Sequence, residues 1–133
     1  MFGNNGEDIL FGNRGQDSLI GCEGNDSLYG GQASDILLGG NGYDFLRGES
    51  GDDSLIGGKG SDRFLISAYS GSDIIFDFEA DIDFLALADN LTFSQLSIIP
   101  SNTAALINLT ANGENLAAIN GVAANQILLT NFT

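Results

Sequence analysis

The chain has 133 residues, of which 18 are acidic and 4 basic, for a net charge of −14, and it contains no histidine or tryptophan. That balance argues against nucleic acid or an anionic membrane as partner, since both need a basic surface. The missing histidine removes His-containing zinc sites and His-based triads. The single cysteine, Cys22, forms no internal disulfide, and no run of 18 apolar residues spans a membrane.

In chain order, Met1 and Phe2 lead directly into patterned sequence, so a cleavable N-terminal signal peptide is not expected. Residues 3–65 then divide into seven nonapeptides: GNNGEDILF (3–11), GNRGQDSLI (12–20), GCEGNDSLY (21–29), GGQASDILL (30–38), GGNGYDFLR (39–47), GESGDDSLI (48–56) and GGKGSDRFL (57–65). Position one is always Gly. Position four is Gly except at Ala33. Position six is always Asp, and position eight is Leu six times and Phe64 once. A strict internal period is the first thing to read in a sequence, because it sets the whole architecture.

Glycines at positions one, two and four suit a turn that visits positive φ and aims its carbonyl oxygens at a common point. Asn4 and Asn13 fit at position two, since Asn tolerates the left-handed region. Carboxylates and carbonyls without nitrogen or sulfur form a hard donor set that selects Ca²⁺. The last three positions predict a short strand with the eighth side chain inward. Leu10, Leu19, Leu28, Leu37, Leu46, Leu55 and Phe64 should then stack as ladders. One such anchor per nine glycine-rich residues is too little burial to offset the entropy of ordering them. Metal bound only by the folded state would supply the remainder. The array carries 11 acidic and 4 basic residues, so shared cations would also relieve its repulsion.

The pattern G-G-x-G-x-D-x-U-x in residues 3–65 resembles the nonapeptide of RTX (repeats-in-toxin) proteins. The resemblance implies an all-β fold: a right-handed parallel β-roll, or β-solenoid of nonapeptide repeats, followed by a C-terminal β cap. Two nonapeptides would make one turn, with odd repeats in one sheet and even repeats in the other. Each Ca²⁺ would bridge repeats n and n+2, pairing Asp8 with Asp26, Asp17 with Asp35, Asp26 with Asp44, Asp35 with Asp53 and Asp44 with Asp62. Turn carbonyls around Gly6, Gly15, Gly24, Ala33, Gly42, Gly51 and Gly60 would complete about five shared sites. Ala33 and Glu49 depart from the motif in even repeats and Cys22 in an odd one. The odd row is therefore expected to bind better, and loss of Asp44 to cost more than loss of Asp35.

After Ile66 the register fades. Ser70-Gly71-Ser72-Asp73-Ile74-Ile75 keeps the Gly, Asp and apolar positions after a two-residue insertion, so Asp73 against Asp53 would make a sixth site. Asp77-Phe78 and Asp81-Ile82-Asp83-Phe84-Leu85 resemble the segment that follows the roll in RTX proteins. The loop is a residue or two shorter here, and Asp81 and Asp83 read as solvent-facing residues on a half-buried strand, with metal binding by them and Asp77 left open.

Residues 92–133 carry one charge, Glu114. Thr92–Ile99, Ala104–Leu109 and Leu116–Asn120 read as strands, with Asn112-Gly113 as a hairpin turn. Gln126–Phe132 fits either a strand or a helical turn. The run from Ile119 to Phe132 resembles the tail of the RTX cap, which implies a type I secretion region, although no acidic residue stands near the end. The expected division is a calcium-binding roll over residues 3–76 and a β-rich cap over 77–133.

The same reading makes the chain an extracellular, non-catalytic calcium module, alone or attached to an upstream domain of a longer protein. Two alternatives are a structural or adhesive β-roll segment and the C-terminal module of a secreted hydrolase. A flexible linker would not keep Leu and Asp nine apart seven times. An ice-binding face would need regular ranks of Thr or Asn, whereas position seven reads Ile9, Ser18, Ser27, Ile36, Phe45, Ser54 and Arg63. Without His no nucleophile–base pair is apparent; Tyr29, Tyr43 and Tyr69 read as surface or core aromatics and Cys22 as a tolerated turn substitution. Arg14, Arg47, Lys59 and Arg63 read as solubility and charge relief.

Overall fold

The computed structural model describes residues 1–68, 70–88 and 90–133; Tyr69 lies outside the described residues. Among the described residues, thirteen strands form two sheets. Along the array they are β1 (Phe2–Asn5), β2 (Ile9–Arg14), β3 (Ser18–Glu23), β4 (Ser27–Gln32), β5 (Ile36–Asn41), β6 (Phe45–Ser50), β7 (Ser54–Lys59) and β8 (Arg63–Ile66). Then follow β9 (Asp73–Ile75), β10 (Phe84–Leu87), β11 (Leu96–Pro100), β12 (Ala104–Leu109) and β13 (Asn115–Asn120). One sheet is ordered β1-β3-β5-β7-β9-β13-β12-β11, the other β10-β8-β6-β4-β2. Successive strands of the array alternate between sheets and pair in parallel, as a two-repeat turn requires.

Within the seven repeats the register advances by 18 residues per step, so equivalent positions stack, and later strands extend the same ladders at longer steps. Leu10, Leu28, Leu46, Phe64 and Leu85 form one inward ladder. Leu19, Leu37, Leu55, Ile75 and Ile119 form the other. All are buried, Leu10 at the open end being the most accessible at 8%. The expected interior ladders are present.

The strands are longer than the three residues expected. β2 to β7 each run six residues, from position seven through position three of the next repeat. The cause lies in the hydrogen bonds, which do not stop at the glycines. Gly6 N–H donates to Glu23 O at 2.8 Å and Gly24 N–H to Asn41 O at 2.9 Å, so pairing continues into the turn.

Beyond Ile66 the eight-stranded sheet changes character. β13 adds in parallel to β9, and β12 and β11 follow antiparallel as a meander. The β12–β13 turn holds Gly113 at φ 74, with Gly113 N–H donating to Leu109 O, as the Asn-Gly pair suggested. Thr92 does not begin a strand: Thr92 N–H donates to Gln95 Oε1 and Phe93–Gln95 is a 3₁₀ turn. The ambiguous tail resolves into 3₁₀ turns at Ala124–Gln126 and Leu129–Asn131. Phe132 then bridges to Leu85 at the end of the five-stranded sheet.

Candidate metal centre

Each turn is built from two left-handed residues. Position four lies at φ 139 in Gly42 and φ 82 in Ala33, and position two at φ 75 in Asn13, φ 86 in Cys22 and φ 74 in Glu49. Position one is different from what its glycines suggested. It is absent from the positive-φ residues, and its requirement is space. A Cβ on Gly30 would stand 2.6 Å from Asp35 Oδ2 and 2.6 Å from Gly48 O. The first glycine therefore makes room for the aspartate of its own repeat and a carbonyl from the repeat two ahead.

Those aspartates form two rows. In the odd row, Asp26 Oδ1 accepts the Asp8 N–H at 2.8 Å, Asp44 Oδ1 that of Asp26 at 2.8 Å, and Asp62 Oδ1 that of Asp44 at 2.9 Å. In the even row, Asp35 Oδ1 accepts the Asp17 N–H at 2.8 Å, Asp53 that of Asp35 at 2.8 Å, and Asp73 that of Asp53 at 3.2 Å. All five expected pairs, and the sixth with Asp73, are brought together. Asp8 and Asp17 are half-buried; Asp26, Asp35, Asp44, Asp53, Asp62 and Asp73 are buried.

The second oxygens carry the chemical signal. Oδ2 of Asp8, Asp17, Asp26, Asp35, Asp44, Asp53 and Asp62 has no hydrogen-bond partner although it is buried. Leaving such an oxygen without a donor is strongly unfavourable. Among the described residues no salt bridge reaches these aspartates, and Arg47 pairs with Glu49 instead. Burial accordingly pushes Asp44 up to about 6 and Asp62 and Asp73 up to about 7. Asp35 and Asp53 are raised for the same first reason, with neighbouring row carboxylates adding and the accepted backbone N–H opposing.

This environment fits a hard cation. The carbonyls of Gly6, Gly24 and Gly42 face Gly24, Gly42 and Gly60, where a Cβ would collide with them. Carbonyl and carboxylate oxygens thus line both edges between stacked turns. Among the described residues no three His, Cys, Asp or Glu side chains cluster to hold a metal. Two carboxylates per gap completed by carbonyls is a Ca²⁺-type donor set, six to eight oxygens being its usual number.

The rows end differently from how the sequence was read. Asp83 is not solvent-facing but 4% exposed, and it continues the odd row by accepting the Asp62 N–H at 2.9 Å. The turn Glu79–Asp83, closed by Asp83 N–H to Glu79 O at 2.7 Å, folds it inward. Its Oδ2 accepts the Glu79 N–H at 2.8 Å, so neither oxygen is orphaned. Asp77 likewise accepts the Gly57 N–H at 2.9 Å and the Gly58 N–H at 2.8 Å. Asp81 is exposed. The signal for Asp83 was available: it stands two before Leu85, as Asp62 stands two before Phe64.

The family model of the RTX calcium-binding nonapeptide repeat, four copies long, matches residues 2–37 and again 29–64. Among solved structures, the AlgE6R3 subunit of the Azotobacter vinelandii mannuronan C5-epimerase aligns at 25% identity and TM-score 0.53, over 97% of this chain and 78% of that one. The extracellular lipase LipA of Serratia marcescens aligns at 23% identity and TM-score 0.54, over 98% of this chain and 20% of the lipase, and shows the fold alone. No curated protein matches the chain. With the motif, the alternating parallel strands and the orphaned carboxylate rows agreeing, the nonapeptide array over residues 2–64 is an RTX calcium-binding β-roll.

Proposed function

We propose that this protein takes up Ca²⁺ between stacked turns and uses that binding to fold once outside the cell. The observation that carries it is the double row of buried, unpartnered Oδ2 atoms. Asp8, Asp26, Asp44 and Asp62 serve the odd row and Asp17, Asp35, Asp53 and Asp73 the even row. The carbonyls of Gly6, Gly15, Gly24, Ala33, Gly42, Gly51 and Gly60 contribute oxygens. Bound Ca²⁺ would supply positive charge to carboxylates that the chain otherwise leaves unpaired. About five or six shared sites follow from these pairs.

Extracellular calcium modules bind at about 10⁻⁴–10⁻³ M, far above cytosolic levels, which supports a chain unfolded during export and folded afterwards. Residues 3–76 then act as the metal-dependent roll and 77–133 as its cap and type I secretion region. No helix among the described residues is long and apolar enough to cross a membrane. The chain spans a fifth of the lipase it aligns with, which favours a second reading: an accessory module of a larger secreted enzyme or surface protein, without catalysis of its own. Circular dichroism and calorimetry during Ca²⁺ titration, with Mg²⁺ as control, test the main reading. A cooperative gain of β signal with about five or six ions bound is expected; a chain already β-rich in chelator would defeat it.

A further inference from the structure

The two sheets of the roll present different outer faces. Inward positions hold the apolar ladders, so positions seven and nine of each repeat point outward. On the five-stranded sheet those positions include Arg47 and Arg63. On the eight-stranded sheet, from β1 to β9, they carry no charge, in a chain whose net charge is −14.

One outward rank of that sheet runs Phe2, Ile20, Leu38 and Ile56, and Phe76, one residue past β9, continues it beside Ile56. The other runs Ser18, Ile36, Ser54 and Ile74, so that small and large side chains alternate. Phe2, Ile36, Ile74 and Phe76 are 64, 52, 36 and 47% exposed, and Ile20, Leu38 and Ile56 are half-buried. Together the two ranks expose about 500 Å² of mostly apolar surface, at the upper end of the patches that isolated chains leave open.

We propose that this face is the interface of a homodimer, in which the eight-stranded sheet packs its outer face against the same face of a second copy. Two such faces would bury about 1,000 Å², the area a specific interface needs. An isologous contact sets one patch on itself, and the alternating rank is complementary to itself in that arrangement. A two-fold axis along the strands, passing between β5 and β7, lays Ile36 over the partner's Ser54 and Ile74 over the partner's Ser18. Each branched side chain then meets a small one. The same axis sets Leu38 on the partner's Ile56 and Ile20 on the partner's Phe76, an apolar seam with no charge to desolvate. Copies at −14 repel each other; about five Ca²⁺, ten positive charges, would leave about −4 and let the faces approach.

This inference goes beyond calcium binding but rests on the calcium-loaded fold, so circular dichroism at fixed free Ca²⁺ first verifies that every variant is folded. Sedimentation equilibrium of the full chain, from micromolar to submillimolar concentration, then reads the mass. A reversible monomer–dimer equilibrium is expected, with a dissociation constant of roughly 10⁻⁵ M for so small an interface. Ile36→Lys should weaken it by about tenfold or more, whereas Ile9→Lys, at an exposed site on the other sheet, should leave it unchanged. Ser54→Ile adds apolar surface but fills the gap that receives Ile36, so it should weaken the dimer severalfold. Folded protein that stays monomeric throughout, association that continues past the dimer, equal effects of Ile36→Lys and Ile9→Lys, or a tighter dimer in Ser54→Ile would overturn the proposal. None of those results would touch the calcium reading, which fails only if calcium leaves the fold unchanged.

Discussion

The array and the C-terminal segment are both β structure, yet they are stabilised by different means. Residues 3–65 bury seven large apolar side chains, Leu10 through Phe64, or one per nine residues. Among the described residues, 92–133 bury nine apolar side chains, from Ala104 to Ile127. The first region also hides seven carboxylate oxygens without donors, whereas the second carries the single charge of Glu114. A thin core loaded with buried charge is unstable without a cation; a denser uncharged core is less so. Where the two meet, Asp77 and Asp83 have both oxygens filled by backbone N–H groups. Protein donors there occupy carboxylate positions that earlier turns leave open.

The largest expected effect is therefore on chelation. Removing Ca²⁺ should abolish hydrogen-exchange protection across β2–β7 while β12 and β13 keep the slowest amides in the chain. Equal loss in both regions would show that they form one cooperative unit and that the contrast has no energetic meaning.

The next effect divides the array itself. Asp44→Asn removes one carboxylate from two odd-row gaps and should cost about 3 kcal/mol in Ca²⁺, in the range of a broken buried charge pair. Asp35→Asn should cost less, because its row carries Ala33 and Glu49 at positive φ, though Cys22 places a similar strain in the odd row. Chemical denaturation at saturating Ca²⁺ compares the two, and equal losses would sink the ranking.

Much of this was legible because a strict period constrains everything that shares it. Leu at position eight marked the inward side chains, and the resemblance to RTX nonapeptides supplied the two sheets and the row pairs, which the structure brings together as far as Asp73. What escaped lay where several forces act on one residue. The first glycine looked like a flexibility requirement, but Gly30 is needed for the volume of Asp35 and Gly48. Asp83 was hidden because the period had lapsed around it, and only its spacing to Leu85 preserved the pattern. The tail near Phe132 had no period at all; its turns depend on tertiary contacts such as Asn131 Nδ2 donating to Ala80 O.

Acid should separate loaded from metal-free protein by sign. Burial raises Asp44 to about 6 and Asp62 and Asp73 to about 7 in the folded chain. Without metal the fold then holds more protons than the unfolded chain between about pH 4 and 7. Its stability is highest below that window and falls as pH rises through it. With Ca²⁺ bound, protons compete for the same oxygens, so acid should weaken the fold instead. In chelator, the little β signal that the array retains should be greater at pH 5 than at pH 8, whereas in Ca²⁺ the melting temperature should be higher at pH 8; the same direction in both would mean the row carboxylates do not govern the array.

The smallest effect is Ala33→Gly. Ala33 sits at φ 82 where other repeats carry glycine, and its carbonyl faces Gly51 in the next even turn. Glycine would remove the steric cost of that conformation, about 1 kcal/mol, while adding freedom to the unfolded chain that offsets part of the gain. A small net rise in melting temperature is expected in Ca²⁺, with tighter binding confined to the even row. If the rise appears equally in chelator, the strain acts on the backbone alone; if calorimetry shows the even-row affinity rising with it, the turn conformation at position four tunes the metal gap. The second result is the one this geometry predicts, because the strained residue and the donor carbonyl belong to the same peptide.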